Sequence, residues 1–528
     1  MATILRQNPS LPLQWMTVAA GGLLVSPVLY ISFLAARADG ATWSRLWSTR
    51  VPELLWNTLS LAMSVSVLTF FLGFSLAWLV VRYEFPGRRI WEWALVLPLA
   101  MPTYVLAYVY AHLFGMGGPV DQWWQSLFGP EAHIVSPQSF LGVSLIMALD
   151  TFPFVYLLAR GALLSMNVSY EEVARIAGVR PWQIMWRVTL PLIRPALVAG
   201  LALVVLYVVS DFGAISLLRY QTLTYAIYQQ MTGRYDQAAA SILSILLVGM
   251  ALVFLVLERW FRRRSRFYQT TGRYKTSPRR RCGIVGTSVI TAFVIVIFCT
   301  AFGAPAALLA QWSVAAVSQG ALDARFLGFM WNSAFLSCVA ASVAVLIGLP
   351  LAYFAGRRPT RLNMACLQAA YAGYALPGPV AALAVLALFT SFVPFLYGSV
   401  IVLIIAYVIH FLPAGLQSLE PAIQQVTPNL EEAGRTLGLR ARDTMRRITL
   451  PLIRNGFLAA WVLMFLQAMK ELPATLLLRP VGFDTLAIRV WLEASEEYYQ
   501  LAAPSALLIV VLSLPALLLL VSRDWRAA

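Results

Sequence analysis

The sequence predicts an all-α polytopic membrane protein of about twelve transmembrane helices, arranged as two parallel six-helix repeats. Three observations carry this expectation. The 528 residues are 60% hydrophobic and only 12% charged, with a mean hydropathy of +0.74, roughly half the charge of a soluble protein this long. Apolar runs close to the roughly 20 residues that cross a bilayer core as a helix recur along the chain, among them Leu95–Leu113, Leu197–Leu218 and Leu501–Val521. One charged sentence is also written twice: EEVARIAGVRPWQIMWRVTLPLIRP from Glu171 and EEAGRTLGLRARDTMRRITLPLIRN from Glu431.

In chain order, spans are expected at 15–36, 54–81, 90–114, 140–159, 196–218, 238–257, 283–310, 327–355, 364–390, 396–417, 456–478 and 503–522. The first lacks a small-residue cleavage site and is read as a retained span. Arginine orients them. Loops 82–89, 160–195, 356–363 and 418–455 are Arg-rich, and 258–281 holds ten Lys/Arg against one acid. Loops 115–139 and 391–398 hold no Lys or Arg. These signs alternate correctly when both termini are cytoplasmic. The net charge of +16 therefore reads as loop charge and not as a nucleic-acid surface. Cys282, Cys299, Cys338 and Cys366 lie in or beside apolar segments without metal-ligand spacing, and read as packing residues.

The basic segment 258–281 is expected to be a cytoplasmic linker between a first repeat, 1–257, and a second, 282–528. Six spans in each half give the halves one orientation, so the repeat is parallel. Trp56/Trp331, Asn57/Asn332 and Gly73/Gly348 stand 275 positions apart. Pro153/Pro413, Glu172/Glu432, Gly178/Gly438, Pro191/Pro451 and Arg219/Arg479 stand 260 apart. YQTL at 220–223 answers FDTL at 483–486.

The doubled sentence falls between the fourth and fifth spans of each half, in loops 169–191 and 429–451. Ser169 and Asn429 precede Glu172 and Glu432 by three positions, a capping box and a close relative, so a helix is expected to begin at each. Gly178 and Gly438 permit a sharp change of direction after about two turns. A second short helix follows, carrying Trp182, Ile184, Met185 and Trp186 in one copy, Met445 and Ile448 in the other. Pro191 and Pro451 are expected to end it. An amphipathic elbow of this kind can lie on lipid. Lipid demands no fixed spacing, however, and a groove on a partner protein does.

On these residues the chain resembles the inner-membrane permease subunits of binding-protein-dependent ABC importers, whose EAA loop reads E-A-A, three residues, G, nine residues, I-x-L-P. The second copy is Glu432-Ala433-Gly434, Gly438 and Ile448-Thr449-Leu450-Pro451; the first is Glu172-Val173-Ala174, Gly178 and Val188-Thr189-Leu190-Pro191. Each copy departs at one alanine, and the first has Val for Ile. The resemblance implies the type I ABC importer transmembrane-domain fold in a bacterial inner membrane, with both membrane domains on one polypeptide. It further implies that Glu172, Ala174, Gly178, Pro191, Glu432, Ala433, Gly438 and Pro451 couple to two cytoplasmic ATP-binding subunits, and that a periplasmic binding protein delivers the cargo. Segments 210–241 and 470–505 are similar to fused ferric-iron permeases, which puts iron(III) ahead of thiamine or polyamine.

The chain lacks a phosphate-binding loop. That motif needs G-x-x-x-x-G-K-[ST], and the only lysines, Lys275 and Lys470, follow Tyr274 and Met469. ATP is expected on partner subunits, with no cofactor in this chain. Charges inside spans mark the place to look for a cargo path: Asp150 and His410 in the fourth spans, Asp211 and Glu471 in the fifth, with Lys470 adjacent. Each can equally be a structural ion pair. Lys470 and Glu471 point about 100° apart on a helix, so they cannot share one cavity squarely. No dense cluster marks a permanent metal site. The loop 479–502, with Asp484, Glu493, Glu496, Glu497, Tyr498 and Tyr499, is a docking surface or an ordinary solvated loop. The rival readings are a proton-coupled secondary transporter, which does not need the elbows, and a channel.

Overall fold

The computed structural model describes residues 11–132, 134–263, 279–320, 325–371, 373 and 376–527, and the chain is helical almost throughout. In the first repeat α1 (Leu11–Arg37) leads through a short α2 (Gly40–Thr49) into α3 (Val51–Arg82). The strand β1 (Tyr83–Glu84) follows, then α4 (Arg88–Ala94), a tight turn at Leu97–Ala100, α5 (Thr103–Phe114) and α6 (Pro119–Phe128). The fourth span is α7 (Phe140–Ser165). The elbow comprises α8 (Ser169–Ile176) and α9 (Pro181–Ile184), which continues through a π turn, Met185–Thr189, into α10 (Leu190–Ser210). Two short helices, α11 (Gly213–Leu217) and α12 (Leu223–Thr232), precede α13 (Gln237–Arg263).

The second repeat begins after β2 (Arg280–Arg281) and runs α14 (Ile284–Phe298), α15 (Ala304–Ser318), α16 (Arg325–Arg357), α17 (Arg361–Tyr371), α18 (Gly378–Phe392) and α19 (Val400–Gln425). Its elbow is α20 (Pro428–Thr436) and α21 (Ala441–Thr444), joined through the π turn Met445–Thr449 to α22 (Leu450–Met469). Then come α23 (Pro473–Leu478), α24 (Leu486–Ser495) and α25 (Tyr499–Ala527).

Among the described residues ten helices are long and apolar enough to cross a membrane, or eleven when the bent pair Arg88–Ala100 and Thr103–Phe128 counts as one. Twelve uninterrupted spans were expected. The third span instead bends by 91°, and the ninth is split into α17 and α18. Proline marks both: Pro98 and Pro102 flank the first break, and Pro377 and Pro379 stand where the chain resumes as α18, each lacking a helical donor. Irregular backbone at membrane depth is tolerated where protein or a water-filled cavity surrounds it. The fifth and eleventh spans also differ from expectation. Each begins at the elbow and stops at Asp211 or at Lys470 and Glu471, with a short helix beyond.

Each repeat has the same kernel: α3 packs on α7 and α10, and α16 packs on α19 and α22. A Cβ on Gly73 would lie 2.7 Å from Val155 Cβ and 2.9 Å from the backbone of α7, so only a hydrogen there lets these helices close. The repeated Asn and its neighbour brace the turn after the fifth span. Asn57 Nδ2 donates to Gln221 O and Asn332 Nδ2 to Asp484 O, both at 3.0 Å. Thr58 Oγ1 and Ser333 Oγ accept from the amides of Leu223 and Leu486.

The leading helices cross over. α1 packs on α17 and α18 of the second repeat, while α15 packs on α5 of the first. The linker departs from its expected 258–281 bounds because α13 continues to Arg263 and β2 pairs in parallel with β1, Tyr83 opposite Arg280; most of it, 264–278, lies outside the described residues. The segment 479–502 is not a free outer loop. Its α24 buries Leu486, Ile488 and Val490, Arg479 pairs with Asp484, and Arg489 holds Glu493 at 2.5 Å. The alternating apolar residues that bury this helix were outvoted at sequence level by its acids.

Candidate functional site

Two places concentrate chemistry: the paired elbows, and the breaks where the third, fifth, ninth and eleventh spans lose helix.

In both elbows the turn is made as expected. Gly178 has φ +77° and Gly438 φ +87°, a region that L side chains avoid. The amides of Val179 and Leu439 reach back to the carbonyls of Ala174 and Gly434 at 3.1 Å, and those of Gly178 and Gly438 to Arg175 and Arg435 at 3.0 Å. This is the hydrogen-bond pattern of a glycine-terminated helix. The capping boxes do not form. α8 and α20 start without a side-chain cap, Ser169 bonds Asn167 Oδ1, and Pro428 already occupies the first turn of α20. Nor do Pro191 and Pro451 stop a helix. The preceding π turn sends the Leu190 amide to Met185 O and the Leu450 amide to Met445 O. That wider winding relieves the proline clash with the turn below, so elbow and span form one rod.

Sequence reasoning passed over the residue that anchors each elbow. Glu172 is half-buried and Glu432 exposed, but the preceding glutamates are buried, Glu171 at 2% exposure and Glu431 at 4%. Glu171 pairs with Arg82 at the foot of α3 and accepts from Thr189 Oγ1 at 2.7 Å. Glu431 accepts from Arg357 Nε and Nη2 at 3.2 and 3.1 Å, from Tyr353 at 2.9 Å and from Thr449 at 3.0 Å. Each guanidinium also stacks over a ring, Arg82 on Trp78 and Arg357 on Tyr353. A signal was present: both copies write Glu-Glu, and α3 and α16 both end in arginine. The clamp ties the elbow to the second span and the head of the fifth.

The swaps in the motif compensate one another. A Cβ on Gly434 would lie 2.5 Å from Ile448 Cδ1. The first copy has Ala174 at the same place, and Val188, one carbon shorter, where the second has Ile448. Outward, the elbows present Val173, Ile176, Trp182 and Trp186 in the first copy and Leu430 and Leu437 in the second, with Ile176 87% and Leu437 85% exposed.

At the breaks, Asp211 and Glu471 act as caps. Asp211 Oδ1 accepts from the Ala214 amide at 3.0 Å, and Glu471 Oε1 from the Ala474 amide at 3.0 Å. Thr103 Oγ1, at the resumption of the third span, donates to Asp211 Oδ2 at 2.5 Å. Lys470 and Glu471 diverge. Glu471 faces Ser333, Ser337, Tyr407 and Thr485 inside its own repeat, in a cleft with no room for a water molecule. Lys470 crosses to the first repeat, where its Nζ donates to Leu99 O and lies within electrostatic reach of Asp150. Asp150 is 3% exposed and also senses Asp211 and Tyr207. His410 occupies the matching place in α19, against the Leu376 backbone beside the ninth-span break. Lys470 and Asp211 are thus held at the third-span break, with Asp150 within electrostatic reach of both and Glu471 turned into its own repeat, while His410 faces the other break. Among the described residues no group of three or more His, Cys, Asp or Glu forms a metal-holding cluster.

The chain matches the family described as binding-protein-dependent transport system inner membrane component twice, over residues 69–267 and 348–526. It is 32% identical over 521 residues to an Fe(3+)-transport system permease protein of Haemophilus influenzae, covering 97% of this chain and 99% of that one. A ferric transport system permease protein of Actinobacillus pleuropneumoniae is 25% identical, over 93% of this chain and 75% of its own. The sulfate transport system permease protein CysW of Escherichia coli is 30% identical over 48% of this chain and 91% of its own length, so it corresponds to one repeat. Two family matches on one polypeptide, two clamped elbows in equivalent places and a helical bundle of membrane-spanning length make this chain a fused, two-repeat member of the binding-protein-dependent transport system inner membrane component family.

Proposed function

We propose that this chain is the permease of an ATP-driven importer of ferric iron. Two ATP-binding subunits seat against the elbows on the cytoplasmic side, where both termini also lie, and a periplasmic binding protein delivers cargo to the opposite face. ATP is bound by the partners and not by this chain. The observation that carries the reading is the pair of elbows. Each exposes large apolar side chains outside the bundle, where an unpartnered apolar surface is costly and marks an interface. Each is also clamped rigidly to two spans.

Glu172, Ala174, Gly178, Pro191, Glu432, Ala433, Gly438 and Pro451 shape that contact. ATP binding draws the two subunits together and moves both elbows. The Glu171–Arg82 and Glu431–Arg357 clamps pass the displacement to the second and fifth spans, which rock as packed bodies. ATP shifts the balance only through its different affinity for the two arrangements.

The cargo path runs through the breaks, past Asp150, Asp211, Glu471 and His410. Three carboxylates against one ammonium favour a cation over the sulfate in the half-length relative's name, and hard oxygen donors suit iron(III). A sparse donor set suits a cation that must leave as readily as it arrives.

The test is uptake of labelled iron, thiamine and polyamine by cells lacking this chain. A defect in iron alone supports the cargo, and a defect in thiamine or polyamine alone overturns it. Uptake driven by a proton gradient without the ATP-binding partners overturns the importer mechanism. Replacing Glu172 and Glu432 by alanine is expected to abolish ATP-dependent uptake while the permease still reaches the membrane.

A further inference from the structure

We propose that Lys470 is a tethered counter-cation: its ammonium bridges the repeats at Leu99 O, within electrostatic reach of Asp150, until a cargo cation displaces it from there. The inference deepens the cation-import reading above.

The pair it rests on has no symmetric copy. The first-repeat equivalent of Lys470 is Ser210, and the second-repeat equivalent of Asp150 is His410. Two repeats that keep equivalent clamps, turns and braces diverge here. One supplies a carboxylate and the other supplies an ammonium that crosses to the same break.

Lys470 follows the last turn of α22 and reaches the carbonyl of Leu99 in the broken third span of the opposite repeat. That contact bridges the two bodies that must separate for a passage to open. Asp150 is nearly fully buried, yet its Oδ1 has no hydrogen-bond partner among the described residues. A buried carboxylate serving only as a staple would be expected to satisfy both oxygens; this one keeps an oxygen for another donor or cation. Tyr207 stands beside Asp150, and Asp211, held by Thr103, lies close by.

An ammonium on a flexible four-carbon stem is a compact, movable charge. Held at Leu99 O, it offsets the charge of Asp150 across the break when cargo is absent. A cation of higher charge arriving at Asp150 and Asp211 repels it, and Lys470 leaves Leu99 O. The bridge between repeats is thereby released only by a cationic cargo, which gives the passage charge selectivity without a tight site.

The experiment uses the purified permease with its ATP-binding subunits and Tb3+ as a redox-inert, hard trivalent probe, its luminescence excited through Tyr207. Lys470→Met is expected to tighten Tb3+ binding about 100-fold or more, the scale of removing a single like charge about 5 Å away at an effective dielectric of about 20. Asp150→Asn is expected to weaken it about ten-fold or more, and the double variant to follow Asp150→Asn. Lys470→Arg, which keeps the charge, is expected to stay near wild type. A monodisperse Lys470→Met complex with unchanged or weakened Tb3+ affinity overturns the proposal and leaves Lys470 a staple.

A second measurement needs no variant. Tb3+ is expected to raise acylation of Lys470 in the wild-type complex, read by peptide mass, and unchanged acylation overturns the proposal. Iron uptake by the same complex reports on the importer reading separately. Lys470-dependent Tb3+ binding without iron uptake removes the cargo and keeps the counter-cation. Uptake with no Lys470 dependence removes only the counter-cation.

Discussion

Adjacent glutamates in each elbow are expected to fail in different ways. Consider Glu171→Ala. It removes the carboxylate that faces Arg82, and the two side chains are only 3% and 6% exposed. Arg82, a buried guanidinium, then loses the Glu171 carboxylate, at a cost of about 3–5 kcal/mol; the Thr189 hydroxyl loses its acceptor at 2.7 Å as well. Glu431→Ala strands Arg357, Tyr353 and Thr449 together, so its effect is expected at the upper end of that range. The cost is local, because the elbow can detach while the α3, α7 and α10 kernel stays packed. Amide exchange across 169–191 is therefore expected to accelerate about 100-fold or more, at roughly ten-fold per 1.4 kcal/mol, while α7 is unchanged. ATP-dependent uptake falls with it. Glu172→Ala is expected to abolish uptake with far less change in exchange, since Glu172 is only half-buried where Glu171 is 2% exposed. The swap Arg82→Glu with Glu171→Arg is expected to recover part of the protection. Unaltered exchange and full uptake in Glu171→Ala would refute the clamp as the route by which motion leaves the elbow.

Three further outcomes follow from the same geometry. Gly434→Ala alone is expected to destabilise the second elbow by about 1–3 kcal/mol through overpacking against Ile448. Adding Ile448→Val, the pairing of the first copy, is expected to restore thermal stability of the purified complex. Gly178→Ala and Gly438→Ala are each expected to cost about 1–2 kcal/mol, because an L side chain is forced to φ +77° or +87°. Amide exchange of the affected elbow measures that cost, and Gly438→Asn is expected to be milder than Gly438→Ala. Gly73→Leu is expected to prevent assembly, as its side chain would enter the backbone of α7; the yield of monodisperse permease reads this directly.

Much of the molecule was legible before any coordinates. Hydropathy marks a span wherever a run is long and apolar, and ten of the twelve expected spans appear, among the described residues, as helices of membrane-spanning length with shifted ends. The misplaced starts of the fifth and eleventh spans have a local cause. Pro191 and Pro451 predict a stop, and the π turn before each carries the helix past it. The breaks in the third and ninth spans carried their prolines in plain view, but their apolar flanks read as continuous. For the elbows, the glycine turn was readable because positive φ is a demand on one residue. The cap was not, since Ser169 had a competing partner in Asn167.

The linear chain by itself determined that this is a duplicated membrane bundle with two charged elbows in equivalent loops. Those properties are set by composition and by spacing within a few tens of residues. Only the tertiary structure decided which glutamate of each pair is buried, and that Lys470 and Glu471 look into different repeats. Burial of a charge depends on whatever meets it in space. Arg82 lies 89 positions from Glu171, and Leu99 lies 371 positions from Lys470, so no local pattern carries that information.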